Sequence, residues 1–166
     1  MRSEERIAGL LKGSGLSLSV AESCTGGRIS HLITTVSGAS NYYLGSVTSY
    51  AVSVKETVLG VPHETIERNG VVSAEVAAAM AEGVRKVTGS TFSVATTGLA
   101  EGSDGHYPEG SVWIAASTPA GTKTLLYQCE GPRKANIKRF TTAALRFLVD
   151  NIELFLKDYI STSKTK

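Results

Sequence analysis

The N-terminal region places a strand pattern, a glycine-containing turn and a helix pattern in immediate succession. Residues 16–21 alternate apolar and polar side chains, which is typical of a β-strand. The turn at residues 22–27 reads ESCTGG, and apolar residues at helical spacing follow from Ile29 to Val36. Alternating strands and helices are the building units of α/β folds. This order therefore predicts a sheet covered by helices.

Strand and helix patterns continue to alternate along the rest of the chain. Apolar and β-branched runs predict further strands at residues 42–50, 91–96, 111–117 and 122–129. Helical spacing and capping signals predict helices at residues 3–12, from Ser53, at 63–68, from Ser73 and at 134–159. The last two strands are joined by a short turn, which indicates an antiparallel hairpin. We expect a three-layer α/β/α fold with a mixed, mostly parallel sheet covered by helices on both faces.

Length and composition place this fold in one domain. The 166 residues are 42% hydrophobic, which is enough for a single buried core. We expect residues 1–160 to form that domain and residues 161–166 to be a frayed polar tail.

Seventeen Lys and Arg against 15 Asp and Glu leave a net charge of +2, which argues against direct binding of nucleic acid. No stretch has the apolar length of a membrane span or leader, so we expect a cytoplasmic protein without membrane contact.

The two cysteines bear on metal binding and on catalysis. Cys24 and Cys129 form neither a C-x-x-C pair nor a cluster with histidine, so no structural zinc site is expected. A thiol at a helix start can be nucleophilic, which makes Cys24 a candidate. No accompanying Cys/His/Asn set is evident, and buried packing is the alternative.

The turn at residues 22–27 is the first candidate site. In open α/β sheets, ligands bind beyond the carboxyl ends of strands, where loops lead into helix N-termini. Backbone N–H groups at Thr25, Gly26 and Gly27 could hold a phosphate or a developing oxyanion, with Ser23 beside them as nucleophile. The alternative is purely structural, with a hydroxyl capping the helix and glycines tightening the turn. The motif is not a P-loop, since no Gly-Lys-Ser/Thr follows.

A serine nucleophile needs a base, and Lys55 is one candidate. Ser53 and Glu56 match a capping box, which would place Lys55 in the first turn of a helix. Burial and the positive end of a helix both make a lysine easier to deprotonate. Tyr50 could relay a proton or orient the pair. The alternatives are an exposed lysine, a packing tyrosine, and His106 as base from the long loop at residues 98–110, whose length is typical of functional or mobile loops.

Several motifs together resemble one known family. They are AESCTGG at residues 21–27, the glycine, valine, tyrosine and lysine of residues 45–55, GVVS at 70–73, TGLA at 97–100 and GSVW at 110–113. The pattern resembles the CinA C-terminal domain family and, within it, the stand-alone nicotinamide-nucleotide amidases of the PncC type. The resemblance covers nearly the whole chain.

This resemblance implies an enzyme that deamidates nicotinamide mononucleotide to nicotinic acid mononucleotide and ammonia without a cofactor. Its catalytic set would be Ser23, Tyr50 and Lys55, which have the family's spacing. The implied substrate-binding residues lie in the glycine turn, at the end of the third strand and before the last helix: Thr25, Gly26, Gly27, Thr97, Gly98 and Arg133. The expected partners are a small pyridine nucleotide and further copies of the chain in a homo-oligomer.

The chain departs from the family pattern in the loop after Gly98, where Glu101 stands near a position that relatives fill with glycine and proline. It also has Arg133 without the second arginine that usually follows. These differences concern the substrate more than the catalytic set. Two alternatives therefore stay open. One is an amidase with another substrate, and the other is a non-catalytic nucleotide-binding protein with a competence- or damage-associated role.

Overall fold

The computed structural model describes residues 1–163 and contains one five-stranded sheet flanked by helices. The strands are β1 (Leu18–Glu22), β2 (Tyr43–Thr48), β3 (Phe92–Leu99), β4 (Ser111–Thr118) and β5 (Gly121–Gln128). The helices are α1 (Ser3–Leu11), α2 (Arg28–Thr34), α3 (Val52–Thr57), α4 (His63–Asn69), α5 (Ala74–Thr88) and α6 (Arg133–Ser163), with a 3-10 turn at Ala39–Asn41. Residues 164–166 of the predicted tail lie outside the described residues.

The sheet confirms the predicted mixed topology. Its order is β2-β1-β3-β4-β5, with β1 parallel to both β2 and β3. Strand β4 is antiparallel to β3 and to β5, as predicted for the hairpin. Among the described strands, β4 alone therefore runs against the other four. The carboxyl ends of β1, β2 and β3 meet at one edge, and this edge is where the topology places a ligand site.

Apolar side chains project from both faces of the sheet, and each face packs against its own hydrophobic core. On one face, β1, β3 and β4 pack against α1, α2 and α6. On the other, a row of paired small residues, Ala21, Ala95 and Ala115, packs against α5. Alanines let the helix approach closely, and Ser73 caps that helix by accepting a hydrogen bond from the Val76 N–H. The three-layer arrangement is therefore confirmed.

Several predicted boundaries differ from the observed ones. The prediction that a capping box at Ser53 starts the helix is wrong, because α3 begins at Val52 after Ala51 and has no side-chain cap. Strand β3 continues past residue 96 to Leu99, since its later residues pair with β4 across Gly98 and Val112. Helix α6 continues through Ser163, past the point where the polar tail was predicted to begin.

Candidate active site

A cavity of about 620 Å³ opens at the carboxyl edge of the parallel strands. Ser23 and Cys24 reach it from the end of β1, and Tyr50 reaches it from the end of β2. The segment at residues 70–72 before α5, the end of β3 with the loop that follows it, and the start of α6 complete the wall. Five segments distant in sequence thus converge on one cavity.

Ser23 and Lys55 form a buried pair in this wall. The Lys55 Nζ donates a hydrogen bond of 3.0 Å to the Ser23 Oγ. It also donates to the backbone carbonyls of Ser49, at 2.6 Å, and of Tyr50, at 3.2 Å. Lys55 is 0% exposed, and Ser23 is buried but lines the cavity. A nucleophile and a base within hydrogen-bond reach are the arrangement that covalent catalysis requires.

The environment of Lys55 makes its ammonium easier to deprotonate than that of an exposed lysine. Burial lowers the pKa of Lys55 below its ordinary value, because an ammonium loses its hydration there. No salt bridge to a carboxylate offsets this loss within residues 1–163, and the ammonium meets two carbonyl dipoles and a hydroxyl instead. The short helix α3 therefore delivers an amine that is well suited to accept a proton from Ser23.

The backbone and the side chain of Tyr50 make contacts in different parts of the site. Its backbone carbonyl accepts from Lys55, whereas its side chain is 64% exposed. The Tyr50 hydroxyl accepts a hydrogen bond of 3.2 Å from the Arg133 Nη2. No hydrogen bond joins that hydroxyl to Ser23 or Lys55 in the part of the chain that the structure describes. The geometry thus places the phenol at the cavity mouth and not beside the Ser23 hydroxyl.

The turn after Ser23 is held by a buried carboxylate that the sequence reasoning missed. Glu22 is fully buried and accepts hydrogen bonds from the backbone N–H groups of Gly27, Ile29 and Ser30, at 2.9 to 3.1 Å, and from the Ser30 hydroxyl. The positive end of α2 stabilises this charge. The available signal was an acid at the end of a buried strand, directly before a helix start.

Glu22 changes the role of the glycine turn. The Gly27 N–H donates to Glu22 and the Gly26 N–H donates to the Ser23 carbonyl, so neither is available to an oxyanion in this conformation. Thr25 is buried, and its hydroxyl bonds that of Thr96 at 2.8 Å. None of the three residues lines the cavity. The Thr25 hydroxyl and the N–H groups of Gly26 and Gly27 therefore hold the turn together, and contact of these three residues with substrate stays a prediction.

Thr97 and Gly98, by contrast, line the cavity from β3. The Thr97 hydroxyl donates to the Val71 carbonyl at 2.9 Å, which ties β3 to the segment before α5. A Cβ on Gly98 would lie 2.5 Å from the Ser111 carbonyl oxygen, so β4 can approach there only because residue 98 has no side chain. Both residues shape the wall beside Ser23, because β3 pairs directly with β1.

Arg133 lies at the cavity mouth with an acidic neighbour. Its Nη1 is 3.0 Å from the Glu101 Oε1, and its Nη2 donates to Tyr50. Asp104 and His106, from the same loop as Glu101, also line the mouth. The loop after Gly98, in which the chain departs from the family pattern, therefore lines the cavity, as its position at the end of β3 predicts.

The remaining candidates offer no alternative pair of nucleophile and base. Burial raises the pKa of the Cys24 thiol to about 12, so it is a poor source of thiolate. Within the described chain, the His106 side chain makes no hydrogen bond to Ser23. No cluster of three His, Cys, Asp or Glu side chains among residues 1–163 could hold a metal ion. A separate groove of about 470 Å³ between β5 and α6 contains no comparable nucleophile and base. None of the described helices is long and apolar enough to cross a membrane.

Residues 1–152 match the family model described as the CinA C-terminal domain. The chain belongs to the CinA C-terminal domain family. A putative competence-damage inducible protein of Desulforamulus reducens is 43% identical over 145 residues, covering 86% of this chain and 35% of the relative. A CinA-like protein of Salinibacter ruber is 42% identical, with the same shares covered. The chain spans about a third of the length of these curated relatives.

Solved CinA structures share the fold over most of their length. A competence or damage-inducible protein from Enterobacter asburiae superposes with a TM-score of 0.86 at 28% identity, covering 90% of this chain and 96% of that one. A competence/damage inducible protein from Agrobacterium tumefaciens gives a TM-score of 0.83 at 31% identity, covering 89% and 92%. The described fold is therefore that of a CinA C-terminal domain.

Proposed function

We propose that this chain is an amidohydrolase that converts nicotinamide mononucleotide and water into nicotinic acid mononucleotide and ammonia. The observation that carries the proposal is the hydrogen bond between Ser23, which lines the cavity, and Lys55, which is buried and has a lowered pKa. Membership of the CinA C-terminal domain family supports it, since that family includes nicotinamide-nucleotide amidases. The cavity is large enough for a small-molecule ligand.

In the first half-reaction, the Ser23 Oγ attacks the carboxamide carbon while neutral Lys55 takes the hydroxyl proton. The resulting tetrahedral intermediate carries its negative charge on the former carbonyl oxygen. When it collapses, the carbon–nitrogen bond breaks and the Lys55 ammonium gives its proton to the leaving nitrogen, which departs as ammonia. Ser23 is then esterified, and Lys55 is neutral again.

In the second half-reaction, water attacks the ester and Lys55 takes a proton from it. Collapse of the new intermediate breaks the ester bond, releases the carboxylic acid and returns the proton to the Ser23 oxygen. The two carbonyls that accept from Lys55 hold its Nζ in place through both halves. One lysine can thus act as base and acid in turn, because burial lowers its pKa.

The oxyanion donors that we propose are the backbone N–H groups of Cys24 and Thr25. Neither donates to a carbonyl or carboxylate elsewhere in residues 1–163, whereas the groups at Gly26 and Gly27 are occupied. The N–H of the residue after a nucleophilic serine has this role in the nucleophile elbow of other hydrolases. Each such donor contributes about 3 kcal/mol to stabilisation of the transition state.

Tyr50 enters the proposal in two ways. Its carbonyl positions Lys55, and its hydroxyl holds Arg133 at the mouth, where the guanidinium fork suits a phosphate. Thr97 and Gly98 form the wall against which the pyridine ring would lie. A proton transfer by the Tyr50 phenol would first require it to leave Arg133.

Ammonia release from nicotinamide mononucleotide by the purified chain tests the proposal. We expect Ser23→Ala and Lys55→Ala each to lower kcat by more than about a thousand-fold, because they remove the two interacting groups. Ser53→Ala is the matched control, since that serine is exposed on α3, and we expect wild-type turnover. Wild-type turnover by the Ser23 variant would refute the mechanism. Thermal stabilisation by the mononucleotide without any ammonia would indicate a binding protein instead.

A further inference from the structure

The cavity mouth contains an ion pair that faces the position proposed for the substrate phosphate. The Glu101 carboxylate takes one arm of the Arg133 fork at 3.0 Å, and the Tyr50 hydroxyl takes the other at 3.2 Å. Both members of the pair are partly exposed, at 41% for the Arg133 side chain and 62% for that of Glu101. Arg133 is therefore accessible to a ligand, but its charge is already matched by an acid.

The charges at the mouth do not favour an anion. Glu101 and Asp104 both line it, and Arg133 is the only arginine or lysine among the lining residues. Asp104 accepts backbone hydrogen bonds from His106, at 2.9 Å, and from Tyr107, at 2.7 Å. The bond from Tyr107 lowers the pKa of Asp104, so this carboxylate stays charged at neutral pH. Two carboxylates thus oppose one guanidinium where a phosphate would enter.

A phosphate and Glu101 compete for the same donors. A phosphate binds a guanidinium best by contacting both arms of the fork, and Glu101 occupies one of them. A mononucleotide must therefore displace Glu101 and bring its own negative charge close to that carboxylate. The corresponding riboside has no phosphate and carries a positively charged pyridinium ring. It meets neither cost, and the acidic mouth attracts it.

We propose that Glu101 is a specificity-determining residue that competes with substrate phosphate for Arg133, so that this site also accepts the unphosphorylated riboside of the same pyridinium amide. The proposal rests on the amidase function proposed above. It adds a substrate class, cationic pyridinium ribosides, and assigns the discrimination between the two classes to one carboxylate. The Ser23 and Lys55 chemistry is the same for both substrates, because the carboxamide is the same.

The kinetic test compares ammonia release from the mononucleotide and the riboside. An exposed ion pair contributes up to about 1 kcal/mol, so Glu101→Gln should raise the ratio of kcat/KM for mononucleotide over riboside by about two- to five-fold. Glu109→Gln is the matched control, since Glu109 belongs to the same loop but does not line this cavity, and it should leave the ratio unchanged. In an Arg133→Gln background, Glu101→Gln should change the ratio little, because the guanidinium for which Glu101 and the phosphate compete is gone.

A binding measurement separates this proposal from the amidase function. Ribose 5-phosphate titrated by calorimetry into wild type and into Glu101→Gln should bind the variant about two- to five-fold more tightly, whether or not the chain turns over an amide. Absence of ammonia from both substrates would refute the amidase function and leave this titration to decide the role of Glu101. Equal affinity for the two proteins, or no binding to either, would overturn the proposal. So would an unchanged kinetic ratio, or turnover of the mononucleotide without turnover of the riboside.

Discussion

Replacing Lys55 with methionine should make the stability difference between wild type and variant depend on pH. Lys55 is fully buried, and burial lowers its pKa below the ordinary value of about 10.4. Between the native pKa and about 10.4, the unfolded chain holds a proton on this amine and the folded chain does not. Stability rises with pH wherever the unfolded state binds more protons. The wild type should therefore gain stability relative to Lys55→Met as pH rises through that window.

The magnitude follows from the number of protons that differ. One proton per molecule corresponds to a slope of about 1.4 kcal/mol per pH unit, which is the upper limit within the window. Below the native pKa and above about 10.4, both states have the same protonation at this residue, so the difference should be flat. Methionine keeps most of the side-chain volume, and its packing contributes equally at every pH. The pH dependence thus isolates the titration of the buried amine.

Urea denaturation at several pH values between 6 and 10.5 measures this difference, with the fluorescence of the single tryptophan, Trp113 on β4, as the signal. Lys86→Met is the matched control, because Lys86 is exposed near the end of α5, and its difference from wild type should not vary with pH. A difference for Lys55→Met that is equally constant would refute the reasoning. If it rises as expected, kcat/KM of the wild type should rise over the same pH window, because the proposed mechanism uses the neutral amine.

Three further substitutions test the support of the site. Glu22→Gln should lower the unfolding free energy measured in urea by about 2–4 kcal/mol, because an amide cannot accept from all the donors that the carboxylate holds. Glu82→Gln, on the exposed face of α5, is the control and should cost little. Equal stability of the two variants would contradict the role assigned to Glu22. Cys24→Ala should retain turnover within a few fold, since a thiol with a pKa of about 12 supplies little thiolate, and a hundred-fold loss would show that the sulfur takes part. Gly98→Ala should lower the unfolding free energy by about 1–3 kcal/mol, because the added Cβ would overlap the β4 backbone. Gly9→Ala is the control and should not destabilise the chain, since a Cβ at that position of α1 meets open space. Equal effects of the two substitutions would contradict the close approach of β4 to Gly98.

Local pattern was sufficient for the layers of the fold. Alternation at residues 16–21, helical spacing from Ile29 and the hairpin after residue 110 each predicted an element that the structure contains. These signals are reliable because a half-buried strand or helix must repeat its apolar residues at its own period. Boundaries were less accurate: α3 begins before the predicted cap at Ser53, and β3 extends to Leu99, since tertiary packing and pairing with β4 decide those ends.

The candidate site was predicted in its residue types and only partly in its geometry. The resemblance to the CinA C-terminal domain family selected Ser23 and Lys55, and the structure places their side chains 3.0 Å apart. The same reasoning assigned the helix-start donors of Gly26 and Gly27 to substrate, but Glu22 and a backbone carbonyl take them. A competition between two acceptors for one N–H cannot be resolved from spacing along the chain. The homo-oligomer, the pyridine nucleotide partner and the single domain over residues 1–160 stay predictions.

The sequence by itself determined which side chains could act, because a serine in a strand-to-helix turn and a lysine near a second helix start are chemical identities that folding does not alter. Only the tertiary structure decided what those side chains experience. The parallel pairing of β1 with β2 brings Lys55 to Ser23 and removes it from water, and burial is what lowers its pKa. The loop after β3 brings Glu101 to Arg133 in the same way. Solvation and pairing depend on distances in space, and the fold sets these distances.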